Sequence, residues 1–313
     1  MSSPLSTDTV TDWAVSAQRL AEPAWRWLEA NHSQLALPSG VPPEELDVVR
    51  HLKPVAELAL AGSMGVREGA TGQHGTTVAH SLVEFGWTQL GHGDVLYEIQ
   101  RERPLDTIPL ESYTPFVRAG RHHAKLDELL AHLASLRASR VPELAPDRVL
   151  AVVNAERLLG LATTWDLAAL TARTWLGGMP EPWTADLATL YALTHTVFHL
   201  TDLGARPSGL PDRIQHYLGA WLPAWLEVYL EAGHWDLVGE LLMVDLCLAE
   251  PAYPAQAWER LAAVQTPDGM LPAEAWRDAR NPATLARNHY HSTVVAAIAG
   301  TLGVARRLDP QRS

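Results

Sequence analysis

The spacing of its apolar residues constrains this chain more than any other feature. Leu126, Leu129, Leu130 and Leu133 fall three and four apart, which places their side chains on one face of an α-helix. Similar stripes run through 15–28, 46–60, 78–90, 149–161, 187–203, 214–230, 237–248 and 283–302. Breakers separate them: Pro38-Ser39-Gly40, the stretch 69–75, Gly177-Gly178-Met179-Pro180, Arg206-Pro207-Ser208-Gly209 and the stretch 251–254. Two-residue alternation bounded by hairpin turns is missing. The pattern therefore predicts an all-α fold, helical hairpins joined by short loops, with room for about ten to twelve helices. Pro54 and Pro223 fall inside stripes and predict kinks or breaks there. No repeat of fixed period is visible, so the sequence does not predict a regular solenoid.

Composition narrows the class. With 313 residues, 47% hydrophobic and 19% charged, the chain can bury a large core and is not of disordered composition. We read residues 1–313 as one helical domain, with a possible subdivision near 180 that leaves the site-bearing half at 181–313. The net charge of -12 argues against nucleic acid and anionic membranes, which both need a basic footprint. No run of eighteen apolar residues predicts a membrane span, and residues 1–13 lack the basic and apolar regions of a signal peptide. The single cysteine, Cys247, suits a reducing cytoplasm. Lys53 and Lys125 are the only lysines, an arginine bias that points to a GC-rich, bacterial source. Twelve Trp against three Phe predict large rings in the core or along a cavity.

Three groups of residues can carry chemistry. His195, His199 and Asp202 lie four, three and seven apart and share a helix face. Such a pair of histidines can chelate a divalent metal, with Asp202 as third ligand or as an orienting group; ordinary hydrogen bonding is the alternative. His289, Tyr290 and His291 precede a smooth helix, and that position suggests a helix N-terminus capped by Asn288 or Ser292. Tyr290 is a candidate general acid and His195 a candidate acid–base residue. His122 and His123 read as a solvated helix start, and His74 and His92 as loop residues. Signature motifs of serine hydrolases, zincins, P-loops and dinucleotide-binding folds are missing.

The last third of the chain carries a resemblance. Gln265-Thr266-Pro267-Asp268-Gly269 resembles the QxxDG turn between helices of α/α-toroid proteins, among them the protein prenyltransferase β-subunits and the triterpene cyclases. Asp245-Leu246-Cys247 and Tyr290-His291-Ser292 resemble the D-x-C and Y-H-T elements that supply zinc ligands in the prenyltransferase β-subunits, in the same order. The segment 191–202 is similar to one in an uncharacterised bacterial toroid family. The resemblance implies a toroid of helical hairpins and a zinc site, or an iron site of softer geometry, drawing on Asp245, Cys247 and His291. Residues two apart on a helix diverge by about 200°, so Asp245 and Cys247 can share a metal only near a helix end. No basic residue beyond His234 lies between 218 and 250, which departs from prenyl-diphosphate binding. The Asp-rich motifs of terpene synthases and the acidic protonation motif of triterpene cyclases are missing too.

These readings converge on a metal-dependent enzyme that acts on a small organic or peptide substrate in a central toroid cavity. Cyclisation or group transfer is the expected reaction, and Tyr191, Trp221, Trp225 and Tyr290 are candidates to line the pocket. Two alternatives stand beside it. One is a non-catalytic helical-repeat scaffold for a basic partner. The other is a carbohydrate-active α/α barrel using carboxylates among Asp236, Asp268 and Glu274, near Trp235 and Trp276.

Overall fold

A computed structural model describes residues 8–162, 165–273 and 281–309. Among the described residues the chain is all-α, with no strand and twelve helices of seven or more residues. In chain order they are α1 (Asp8–Asn31), α2 (Lys53–Glu68), α3 (Gly72–Gln89), α4 (Asp94–Glu102), α5 (Ile108–Arg118), α6 (Ala124–Ser135) and α7 (Pro146–Leu158). Next come the short α8 (Leu167–Ala172) and α9 (Trp175–Gly178), then α10 (Leu187–Thr201), α11 (Asp212–Ala232), α12 (Trp235–Cys247), α13 (Ala255–Val264) and α14 (Pro282–Leu308).

Six helices follow one another as packing neighbours. α2 packs on α5, α5 on α7, α7 on α10, α10 on α12, α12 on α14, and α14 on α2. The remaining long helices flank them, with α3 against α2, α11 against α12, and α1 against both α13 and α14. The α1–α14 contact joins the two ends of the chain and depends on small residues. A Cβ on Gly300 would lie 2.5 Å from the Ala17 carbonyl oxygen and 2.7 Å from the Ala21 methyl, so only glycine admits this approach. Trp25 Nε1 donates to Thr301 Oγ1 across the same interface at 3.1 Å.

The 265–270 turn fastens the same corner. Gln265 Nε2 donates to the carbonyls of Leu20 (3.1 Å) and Gly269 (2.8 Å). Gly269 has φ +100, and a Cβ there would meet the Pro23 carbonyl oxygen at 2.0 Å. The larger apolar cluster runs across position 180 without a break, from Trp13 and Leu58 to Leu241 and Ile298. A second cluster, around Trp87, Tyr113 and Phe116, fills the space among α2 to α7.

The two prolines expected to kink or break their stripes differ. Pro54 stands in the first turn of α2, directly after the π-helical turn Val48–Leu52, so the stripe 46–60 changes helix type beside it. Pro223 lies within α11, which runs unbroken through it. The 283–302 stripe also begins earlier than the His289–His291 cluster suggests. Asn281 caps α14, accepting from Ala283 N at 2.9 Å. Both histidines thus sit inside the helix, not at its N-terminus. His74 lies within α3, and His123 caps α6 by accepting from Leu126 N at 3.0 Å.

Candidate active-site cavity

All six neighbouring helices contribute to one cavity of about 740 Å³. Its charged lining comes from Lys53 and Glu57 on α2, Glu111 and Arg118 on α5, Arg148 on α7, His195 and His199 on α10, Asp236 and Glu240 on α12, and His291 on α14. Leu60, Ile108, Ala151, Leu158 and Phe198 provide apolar wall between them.

The most ordered chemistry surrounds His291. Its Nδ1 lies 3.0 Å from Glu57 Oε2 and its Nε2 3.5 Å from Glu240 Oε1. Burial alone would lower the imidazole pKa; the two carboxylates outweigh it and raise it to about 10. His291 is therefore an imidazolium at neutral pH. Glu240 is only 2% exposed, and Thr194 Oγ1 donates to its Oε2 at 2.5 Å. Burial opposes its charge, yet His291, His195 and Thr194 hold the carboxyl below its ordinary value. Glu57 is held down in the same way by His291 and by Lys53, 3.5 Å away.

His199 has the opposite environment. Burial, with the nearby charges of His195 and Arg148, lowers its pKa to about 3, so it is neutral. Among the described residues neither of its ring nitrogens has a hydrogen-bond partner, and its ring centroid is 6.2 Å from that of His195. His195 leaves 44% of its side chain exposed and puts Nε2 3.9 Å from Glu240 Oε1. Arg148 Nη2 donates to both oxygens of Glu111, at 2.6 and 2.8 Å. Asp236 accepts from the Tyr191 hydroxyl; burial raises its carboxyl above the ordinary range.

The six residues considered for a metal separate into two groups. His195, His199, Asp202 and His291 all line the cavity. Asp202 caps α10 in a left-handed conformation (φ +51), and its carboxylate meets Arg118 (2.5 Å), Arg157 (3.4 Å) and Arg67 (3.9 Å). Those arginines compete with any role in orienting the histidines. Asp245 and Cys247 do occupy the end of α12, as a shared metal would require, but neither lines this cavity. Asp245 accepts from Ala252 N (2.9 Å) and Tyr253 N (3.0 Å), which ties the loop after α12 to the helix. Cys247 is fully buried beside a separate cavity of about 320 Å³, and burial lifts its thiol to about 11. Among the described residues no group of three or more His, Cys, Asp or Glu is placed to hold a metal ion. The residues present do not fit the zinc or iron site that the resemblance implied.

Other expectations sort just as plainly. Tyr290 is 8% exposed and lies outside the lining. Burial and Glu57 hold its hydroxyl far above the usual range, a poor setting for a general acid. Tyr191 lines the cavity, whereas Trp221, Trp225 and Trp235 pack in or against the apolar core. No tryptophan lines the cavity among the described residues, and the carbohydrate reading needed that. Asp268 is an exposed turn residue bonded to Thr266; Glu274 and Trp276 lie outside the described residues. The sequence reading missed Glu57, Glu240, Glu111, Arg118 and Arg148. A signal for Glu240 existed, because it interrupts the apolar run 237–242 and a buried carboxylate there demands a partner.

The fold and the cavity together define an all-helical protein with charged groups from six helices converging on one internal site. The chain matches a domain of unknown function, DUF6895, over residues 21–301, and it belongs to that family. No curated protein and no solved structure matches it. No helix among the described residues is long and apolar enough to cross a membrane.

Proposed function

We propose that α2, α5, α7, α10, α12 and α14 form the inner ring of an α/α toroid, and that the protein is an enzyme acting on a small polar organic substrate in the ring's cavity. The neighbour order, which returns from α14 to α2, supports the toroid. One observation carries the enzyme reading: a histidine held as a cation between the buried Glu240 and the partly buried Glu57 on the wall of a ligand-sized cavity. Withdrawing charges from water is costly unless they are paired, and perturbed ionisation of this kind concentrates at functional sites.

The reaction class that fits is proton transfer. His195 reaches into the cavity with Nε2 toward Glu240. Its imidazole takes a proton from the substrate, and the Glu240 carboxylate, on the Nε2 side, stabilises the imidazolium that forms. His291 and Thr194 fix Glu240 in place and keep it ionised. No step requires the metal that the sequence suggested.

The test is turnover of a small-molecule extract from the producing cells, followed by mass spectrometry. Compounds consumed by the wild-type protein should be consumed about a hundredfold to ten-thousandfold more slowly by His195→Ala, with its helix content unchanged. Equal consumption by the two proteins, or none by either, would contradict the enzyme reading.

A further inference from the structure

The carboxylates of the cavity are not equally compensated. Glu57 meets Lys53 and His291, Glu240 meets His291, and Glu111 meets Arg148. Asp202 meets three arginines. Asp236 has no ion pair among the described residues; the Tyr191 hydroxyl is its side-chain partner. It stands one helical turn before Glu240 on α12, so both face the cavity from the same side.

On this wall three carboxylates (Glu57, Asp236, Glu240) face two cations (Lys53, His291), which leaves an excess negative charge. Across the cavity the charges of Glu111 and Asp202 are matched or exceeded by Arg148, Arg118 and Arg157. The apolar residues Leu60, Ile108, Ala151, Leu158 and Phe198 line the space between polar groups. A ligand complementary to this lining has a hydrocarbon body and one cationic end.

We propose that the substrate is an aliphatic primary amine whose ammonium group pairs with Asp236, beside Tyr191, while its carbon chain lies along the apolar wall of α5, α7 and α10. The proposal rests on the cavity being the substrate site and adds the substrate's charge. Asp236 is half-buried, a carboxylate partly withdrawn from water carries a desolvation cost, and the ammonium reduces it. Burial raises the Asp236 carboxyl although the Tyr191 hydroxyl and the charge of His291 act against it.

Three probes of similar size and different charge test this: butylammonium, 1-butanol and butyrate, titrated into the full chain by ligand-observed NMR at neutral pH. Butylammonium should bind saturably and most tightly, and butyrate most weakly. Asp236→Asn, nearly isosteric, should weaken butylammonium at least about tenfold while leaving butanol binding and the thermal unfolding curve nearly unchanged. Unaltered butylammonium binding in Asp236→Asn would overturn the proposal, as would tighter binding of butyrate or no saturable binding of the amine. If butanol binds and the amine shows no preference, the amine assignment fails while the cavity remains a ligand site. The enzyme reading fails separately, through His195→Ala.

Discussion

Two histidines face one cavity and carry opposite charge states. His291, on the wall made by α2, α12 and α14, sits between Glu57 and Glu240 and is lifted to about 10. His199, on α10, has no carboxylate partner among the described residues and lies near Arg148, and its pKa falls to about 3. Burial disfavours the charged form at both positions. What separates them is the carboxylates that two other helices bring to His291 and not to His199. The helices thus supply a cation on one side of the cavity and an uncharged imidazole on the other, with His195 Nε2 3.9 Å from Glu240 Oε1.

The most severe way to break this comparison is to remove Glu240. Glu240→Ala leaves a partly exposed cation without one of its two carboxylates and should cost about 1–3 kcal/mol of unfolding free energy by denaturant titration. Glu240→Gln, which keeps shape and the Thr194 contact, should cost less. A loss under about 1 kcal/mol for the alanine variant would mean that the cluster contributes little to the fold.

The next test reads the sign of each histidine's effect through pH. His291 binds its proton more tightly in the folded state, so its contribution is complete below the ordinary imidazole value of 6.5 and disappears as pH rises toward about 10. The two carboxylates that face it, Glu57 and Glu240, are held below their ordinary value and keep their charge across that window. His291→Gln should therefore flatten the alkaline fall in stability. His199 acts in reverse. Below 6.5 the unfolded chain takes up a proton that the folded protein refuses down to about 3, so stability falls as pH falls. His199→Phe should recover on the order of 1 kcal/mol at pH 5 relative to pH 7. A His199→Phe protein with an unchanged acid limb would show that this imidazole is not held neutral.

The smallest effect is expected at the rim of the cluster. Lys53 is 48% exposed in its side chain and lies 3.5 Å from Glu57, so Lys53→Met should change stability by less than about 1 kcal/mol. A much larger loss would assign Glu57 mainly to Lys53 and weaken its claim on His291.

Much of the fold was legible because helix periodicity is a local property. The stripes through 149–161, 187–203, 214–230 and 237–248 correspond to α7, α10, α11 and α12. Among the segments that escaped were α4 and α5; in α5 Pro109 in the first turn and Pro115 inside the helix disguise the pattern, and with it went Glu111 and Arg118. Site residues were legible only in part. The spacing of His195 and His199 revealed a shared face, but nothing local tells that His291 meets Glu57 across 234 positions of sequence. The Asp245-Leu246-Cys247 pattern failed for the converse reason. It matches a metal-binding element over three residues, while Asp245 turns instead to the backbone N–H groups of Ala252 and Tyr253. Partners brought by distant helices decide what each side chain does.

The most direct measurement is a histidine side-chain NMR titration of the wild-type protein, with His291→Gln and His199→Phe used to assign the two rings. From about pH 5 to about pH 8, the His291 ring should stay an imidazolium and the His199 ring should stay neutral, with neither showing a midpoint in that range. Midpoints for both rings near the ordinary imidazole value would contradict the paired-carboxylate cavity, and the catalytic reading that depends on it.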